Sequence, residues 1–333
     1  MTQRPWLLNT LTSLVIASTP AVAARADAPV LQRVVDVPLP GPAVRFDYQT
    51  ADTAANRLYL SHMNAGELVV FDLKARETVG IIRDLPRVTG VWCVPALGKV
   101  YASVPGHRHV AIIDTKTLAV EARVGQIGFP DGIAYAPGVK KLYVSDESGG
   151  GELVIDGTSN QVVRKIALGG EAGNTLYDPG SGHILVAVQT ANEVVEIDPK
   201  TDSLVARHHV PESAHPHGLS LDPSNRLLFV ANEGNATLQM VDLRTWKVLD
   251  RQAVGEDPDV LAFDPGWRRL YVAAETGPVT VFGERDGKLV LAGHVTLPRA
   301  HTVWVDSRTH LVYFPLENVA GRPLLRIMAA RQP

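Results

Sequence analysis

The residues best able to do chemistry in this chain recur at equal intervals. Asp259 follows His217 by 42 positions, and His301 follows Asp259 by another 42. Imidazole nitrogens and carboxylate oxygens together suit a borderline or hard divalent cation, and a carboxylate beside an imidazole also orients it as a base. The three residues therefore predict either a metal site or an acid-oriented base, provided that the fold brings equivalent positions together.

The 42-residue interval belongs to a repeat that runs through most of the chain. Each copy has an apolar or aromatic anchor, as in the segment Arg57-Leu-Tyr-Leu, and successive anchors are 42 or 44 residues apart. An apolar residue followed by Asp comes after each of the first five anchors, as in Ile113-Asp114. Alternating apolar residues between turn-forming residues predict four short strands in each copy. The seven anchors are Tyr59, Tyr101, Tyr143, Leu185, Phe229, Tyr271 and Tyr313.

Seven units of four strands predict an all-β fold, a single seven-bladed β-propeller that takes up residues 30–333 as one domain. The seventh copy lacks its fourth strand, and residues 30–40 resemble the fourth strands of other copies. We therefore expect an N-terminal strand to close the last blade. In such a ring the inner strands line an axial channel, and the loops that enter them open on one face. Equivalent positions in those loops then converge on one mouth.

The loops at the predicted mouth carry many histidine, arginine and acidic residues. Four of them share one repeat position, and Arg45 joins this group if a two-residue insertion is allowed in the first copy. Three others stand two positions earlier, and His62 lies in an inter-strand turn. The candidate ligand-binding residues are Arg45, His62, Arg87, Asp131, Glu171, His215, His217, Asp259 and His301.

Three interpretations of this mouth remain open. The histidines and Asp259 are candidates for a divalent metal ion. Alternatively, Arg45 and Arg87 could hold a ligand carboxylate while a histidine acts as general base. The third interpretation is a wet, polar mouth that takes no small ligand. Further acids in the inter-strand turns, among them Glu233 and Glu275, are individually interpreted as solvated turn residues.

Three segments resemble a named repeat. Leu142-Tyr-Val-Ser-Asp, Leu228-Phe-Val-Ala-Asn and Leu270-Tyr-Val-Ala-Ala are similar to the Tyr-Val-Thr-Asn (YVTN) β-propeller repeat of the lactonase-like seven-bladed group. The resemblance covers about residues 30–333 and implies the fold. That group includes sugar-lactone hydrolases, lactonising enzymes, surface-layer proteins and many exported proteins with no assigned activity. The resemblance therefore does not select one function.

Composition excludes several classes of function. The 333 residues are 45% hydrophobic, which is ample for a core, and 32 basic residues against 35 acidic ones leave a net charge of -3. Nucleic acid is not expected as a partner, because there is no excess of basic residues. The single cysteine excludes an internal disulfide and a thiolate metal cluster.

The first 23 residues have the pattern of a secretory signal peptide. Arg4 precedes a short apolar run, and Ala21-Val22-Ala23 is a small-x-small cleavage pattern. The run is too short and too interrupted to span a membrane. We therefore expect cleavage near Ala23 and a periplasmic or secreted mature protein.

The sequence as a whole predicts an exported propeller that binds a small anionic ligand or a metal at the channel mouth, or serves as an interaction platform. The alternative is a lactonase-like enzyme that hydrolyses or isomerises a small carboxylate or lactone. A divalent metal ion is the one cofactor considered. The expected partner is a small molecule or a protein at the channel face.

Overall fold

The computed structural model describes residues 1–2 and 29–332 of the chain. This part contains 28 β-strands and no α-helix, and none of its short helices is long and apolar enough to cross a membrane. Apart from residues 1–2, the predicted signal peptide lies outside the described residues. The 3-10 helices of this part are Met63–Ala65, Pro95–Leu97, Pro105–His107, Gln189–Ala191 and Glu233–Asn235.

The strands form seven antiparallel four-stranded sheets, the blades of a β-propeller, as the repeat predicts. We number the blades in chain order and describe each from its inner to its outer strand. Blades 1 to 3 consist of β2 (Gln49–Asp52), β3 (Arg57–His62), β4 (Glu67–Asp72) and β5 (Glu77–Ile82); β6 (Val91–Val94), β7 (Lys99–Val104), β8 (His109–Asp114) and β9 (Val120–Val124); and β10 (Pro130–Ala136), β11 (Lys141–Asp146), β12 (Gly151–Asp156) and β13 (Gln161–Ala167).

Blades 4 to 7 continue the same pattern around the ring. They consist of β14 (Ala172–Asp178), β15 (His183–Val188), β16 (Glu193–Asp198) and β17 (Ser203–His209); β18 (Pro216–Asp222), β19 (Leu227–Asn232), β20 (Thr237–Asp242) and β21 (Lys247–Ala253); β22 (Pro258–Asp264), β23 (Arg269–Ala274), β24 (Pro278–Arg285) and β25 (Lys288–Thr296); and β26 (Trp304–Asp306), β27 (Leu311–Val319), β28 (Arg322–Ala330) and β1 (Leu31–Pro38).

Blade 7 is completed by the N-terminal strand, so the predicted closure is confirmed. β1 pairs antiparallel with β28, with Leu31 opposite Ala330. The Arg326 guanidinium donates to both carboxylate oxygens of Asp36, at 2.8 and 2.7 Å. Leu31 is buried in the core between blades 6 and 7. The first and last described strands are therefore joined by main-chain, ionic and apolar contacts.

The apolar–Asp pair of the repeat ends the third strand of a blade and shapes the turn that follows it. Asp114 Oδ1 accepts the backbone N–H groups of Lys116 and Thr117, at 2.9 and 2.7 Å. A short acidic side chain that caps a turn in this way explains why Asp recurs at this position. The second and third strands are buried on both faces, whereas the outermost strand alternates between more and less exposed residues.

The inner strands of neighbouring blades contact one another around an axial channel. The loops that enter the inner strands share one face with the turns between second and third strands, since Glu147 N donates to Phe129 O at 2.9 Å. We call this face the mouth. Tyr48, just before β2, crosses the channel and lines two cavities. A polar cavity of about 350 Å³ lies on the mouth side, and one of about 320 Å³ among mostly apolar strand residues lies below it.

Candidate functional site

One residue from each blade stands at the same repeat position around the channel, twelve positions before its anchor. In blade 1 this residue is Asp47, and the two-residue insertion that placed Arg45 there is wrong. Asp47 N donates to Ser61 O at 2.8 Å, just as Thr89 N donates to Ser103 O in blade 2. Arg45 stands two positions earlier, in the same outer series as Arg87. The seven residues of the ring are Asp47, Thr89, Asp131, Gly173, His217, Asp259 and His301.

Asp259 lies between two histidines at the centre of the mouth. Its Oδ1 atom is 3.1 Å from His217 Nε2, and its Oδ2 atom is 2.9 Å from His301 Nε2. Asp47 adds a second carboxylate, with Oδ1 at 2.9 Å from His301 Nε2. All four side chains are buried. The three residues with the 42-residue spacing therefore form one cluster in the structure.

Two turn residues extend this cluster into two overlapping sets of ligands. Glu233 Oε1 faces His217 Nδ1 at 3.8 Å, and Glu275 Oε1 faces His301 Nδ1 at 3.1 Å. We call His217, Glu233 and Asp259 the first triad, and Asp259, Glu275 and His301 the second triad. In each triad, one donor atom from every residue lies within 4.8 Å of the others. These glutamates are part of the site rather than solvated turn residues.

Several atoms of the cluster lack a hydrogen-bond partner among the described residues. The buried atoms without such a partner include His217 Nδ1, His301 Nδ1 and Asp259 Oδ1. His301 Nδ1 and Asp259 Oδ1 each face an oppositely charged group at 3.1 Å, whereas His217 Nδ1 is 3.8 Å from Glu233 Oε1, too far for a hydrogen bond. Buried polar atoms are almost always paired in folded proteins. The donor atoms therefore call for a further partner, an ion or a water molecule.

Tyr48 is a residue of the site that sequence reasoning missed. Its hydroxyl donates to Asp131 Oδ2 at 3.0 Å and lies 3.3 Å from His217 Nε2. It therefore links blades 3 and 5 across the channel and forms the floor of the polar cavity. Three of the other blades have glycine at this repeat position. A large aromatic residue among glycines was the available signal.

Three further candidates lie on the rim of the mouth. The Arg87 guanidinium carbon is 4.9 Å from the centre of the Phe129 ring, a cation–π contact. His215 Nδ1 lies 3.3 Å from Glu233 Oε2, and His215 Nε2 lies 3.7 Å from Glu171 Oε2. His215 and Glu171 thus support the outer side of the first triad.

His62 is the one candidate that the structure moves away from the mouth cavity. It is the last residue of β3 rather than a turn residue, and its ring is fully buried. The ring stacks on Phe46 with a centroid separation of 4.0 Å. A side chain at Gly41 would come within 2.9 Å of the ring, because the segment after β1 covers it. Burial lowers the pKa of His62 and favours its neutral form.

Comparison with known sequences gives little information about function. No protein-family model matches the chain, so the YVTN resemblance remains a prediction. Antigen Lp49 of Leptospira interrogans serogroup Icterohaemorrhagiae serovar copenhageni (strain Fiocruz L1-130) is 26% identical over 252 residues, which is 66% of this chain. The chain spans about half of that antigen, 52% of its length.

Solved structures share the propeller fold over nearly the whole chain. Hydrazine synthase of Kuenenia stuttgartiensis has a TM-score of 0.76 at 16% identity, covering 93% of this chain and 100% of that chain. U3-55K has a TM-score of 0.75 at 10% identity, with coverages of 89% and 99%. A chain of the mitotic checkpoint complex has a TM-score of 0.75 at 11% identity, with coverages of 95% and 100%. Such low identities show the fold alone.

Burial and charge pairing set the protonation of the mouth. Burial opposes the charged form of His217, but the Asp259 carboxylate outweighs it and raises the pKa of His217 to about 10. The two imidazolium groups likewise outweigh burial at Asp259 and hold its pKa well below the ordinary value. Burial, together with the charge of Asp47, raises the pKa of Asp131 to about 8. The metal-free cluster therefore retains protons at neutral pH.

We expect the metal-free protein to lose stability as the pH rises from about 7 to 10. The folded-state pKa of Asp131, about 8, and that of His217, about 10, both exceed their ordinary values. The folded state therefore holds protons that the unfolded chain releases, so the stabilisation present at low pH is lost as the pH rises toward these values. Thermal melts in the presence of a chelator measure the effect. Asp131→Asn should flatten the decline between pH 7 and 8, and a parent protein that melts at a constant temperature over the range would contradict the expectation.

Proposed function

We propose that this protein is an exported β-propeller that binds one divalent metal ion at the mouth of its channel, with His217, Glu233 and Asp259 as ligands. The observation that carries the proposal is the first triad, whose three donor atoms lie within 4.8 Å of one another. The gap of 3.8 Å between His217 Nδ1 and Glu233 Oε1 is too long for a hydrogen bond. It is close to the distance between two ligand atoms that each lie about 2.1 Å from a shared ion. Export rests on the predicted signal peptide.

The charge of the mouth favours a cation over the small anion that the sequence also suggested. Six carboxyl groups line the polar cavity against two arginines and one histidine. Neighbouring acids resist ionisation together, and a bound cation relieves that repulsion. An anionic ligand would meet the same six carboxyl groups, which outnumber the two arginines and one histidine of the cavity. The acidic residues are Asp47, Asp131, Glu147, Glu233, Asp259 and Glu275.

The donor set also narrows the choice of metal. One imidazole and two carboxylates suit the borderline ion Zn²⁺ or the harder ion Mn²⁺ better than a soft ion, which prefers sulfur. A fully oxygen-lined site would instead suit Ca²⁺ or Mg²⁺. Zn²⁺ and Mn²⁺ are therefore the probes of choice.

A lactonase-like activity is the second candidate, and it rests on the position of Arg87. Its guanidinium lines the same cavity as the first triad and is held against Phe129. A metal ion that polarises a carbonyl next to a guanidinium that binds a carboxylate is an arrangement suited to hydrolysing a lactone of a sugar acid. Loss of lactone hydrolysis on chelation and in an Arg87→Gln variant would support this candidate.

We expect Glu233→Gln to weaken metal binding about 100-fold or more, because the amide removes one anionic ligand. Protein stripped by a chelator is titrated with Zn²⁺ and with Mn²⁺ by calorimetry, and bound metal is measured by elemental analysis. The parent should bind one ion per chain. Glu256→Gln is the matched control, since this exposed glutamate lies in the loop before β22 and belongs to neither triad. Absence of binding by the parent, or equal affinities of parent and Glu233→Gln, would contradict the proposal.

A further inference from the structure

The two triads share Asp259 but differ in what lies beside them. The Arg45 side chain enters the second triad, with Nη2 at 2.9 Å from Glu275 Oε1 and 3.0 Å from His301 Nε2. At the first triad, no lysine or arginine in the described part of the chain pairs with Glu233, whose ion-pair partners there are His215 and His217. One triad thus contains a permanent cation of the protein itself, and the other does not.

Arg45 is well placed to act as that cation. It lies in the segment between β1 and β2, close to the seam where blade 1 meets blade 7, and about two thirds of its side chain is buried. A guanidinium carries its charge at any ordinary pH and pairs with carboxylates through several N–H groups. Burial opposes its charged form, but the charges of Asp47, Glu275 and Asp259 outweigh burial and raise the pKa of Arg45. A divalent ion entering the second triad would have to approach this charge within a few ångströms, where repulsion in a partly buried site is strong.

We propose that Arg45 occupies the second triad as a built-in cation and thereby limits the mouth to one divalent ion, bound at the first triad. This proposal rests on the proposed function above. It makes Arg45 a residue that sets the number of metal ions rather than a ligand for a carboxylate. Removing its charge would leave His301, Glu275 and Asp259 as a free donor set of the same type as the first triad.

The experiment compares the number of ions bound by three proteins stripped by a chelator. The parent is expected to bind one Mn²⁺ per chain, Arg45→Gln two, and Arg45→Lys, which keeps the charge, one. Calorimetric stoichiometry and elemental analysis count the ions. Electron paramagnetic resonance adds an independent measurement, because two Mn²⁺ ions that share Asp259 broaden each other's signal. The double variant Arg45→Gln, Glu275→Gln should return to one ion.

The possible outcomes separate this inference from the proposed function. A parent that binds no metal overturns both. A parent and an Arg45→Gln variant that each bind one ion leave the metal site intact and overturn the role of Arg45. A parent that binds two ions also overturns it, because the guanidinium then does not exclude the second ion. Thermal melts check that each variant is folded, and Arg45→Met, which keeps most of the aliphatic stem, replaces Arg45→Gln if that variant unfolds.

Discussion

Replacing Asp259 by asparagine will destabilise the metal-free protein by about 3–5 kcal/mol, because it leaves buried imidazolium groups without their shared counter-charge. Asp259 is 4% exposed and contacts both His217 and His301. Chemical denaturation at pH 6, where both imidazoles are protonated in the parent, measures the loss. The same substitution should abolish metal binding, since Asp259 belongs to both triads.

Asp257→Asn is the matched control for this experiment. Asp257 is exposed and stands two positions earlier in the same loop. Its backbone has a positive φ of 53°, which asparagine adopts readily. We expect a change within about 0.5 kcal/mol, as for most surface substitutions. Equal stabilities of the two variants would show that the carboxylate between the histidines has no special role.

Removing β1 should destabilise the protein about as much as the Asp259→Asn substitution does. Leu31 and Leu39 are buried against the rest of the protein, and burial of such a side chain contributes about 1.5–3 kcal/mol. The truncation also removes Asp36, the partner of Arg326, and leaves β28 as an open sheet edge. We expect a loss of about 3–6 kcal/mol and a tendency to aggregate through that edge.

A chain that begins at Pro29 and one that begins at Gly41 are the two proteins to compare by thermal melting and light scattering. The shorter chain should melt several degrees lower and scatter more light. Adding a synthetic peptide of residues 29–40 should restore part of the loss, because the peptide can pair with β28. Identical melting of the two chains would show that β1 is not needed to close the ring.

The fold could be predicted because its signal is repeated. A single strand such as Lys141–Asp146 is ambiguous by itself, but seven anchors at nearly equal spacing, five of them followed by an apolar–Asp pair, predict a ring of equal units. The closing strand was predictable for the same reason. The seventh copy ended early, and a matching segment stood at the other end of the chain.

The site was predicted only in part, because its chemistry depends on distances between blades. His217, Asp259 and His301 emerged from one repeat position, and ring symmetry brings such positions together. Glu233 and Glu275 also share one repeat position, four residues after their anchors, but whether a turn residue there faces solvent or the channel depends on the local backbone and rotamer. Arg45 was placed at the wrong repeat position, and only the cross-blade contacts show what it faces.

Blade 7 takes strands from both ends of the chain, and this determines when the ring can close. Residues 311–330 are the last of its strands to leave the ribosome or a translocation pore, so blades 1–6 form an open arc until they arrive. The mouth is joined across the same seam, since His301 contacts Asp47 at 2.9 Å. A nascent chain that stops before β28 already contains His301 but lacks the strand that pairs with β1. We infer that the outer seam and the contact of His301 with Asp47 are joined in one closing step after release.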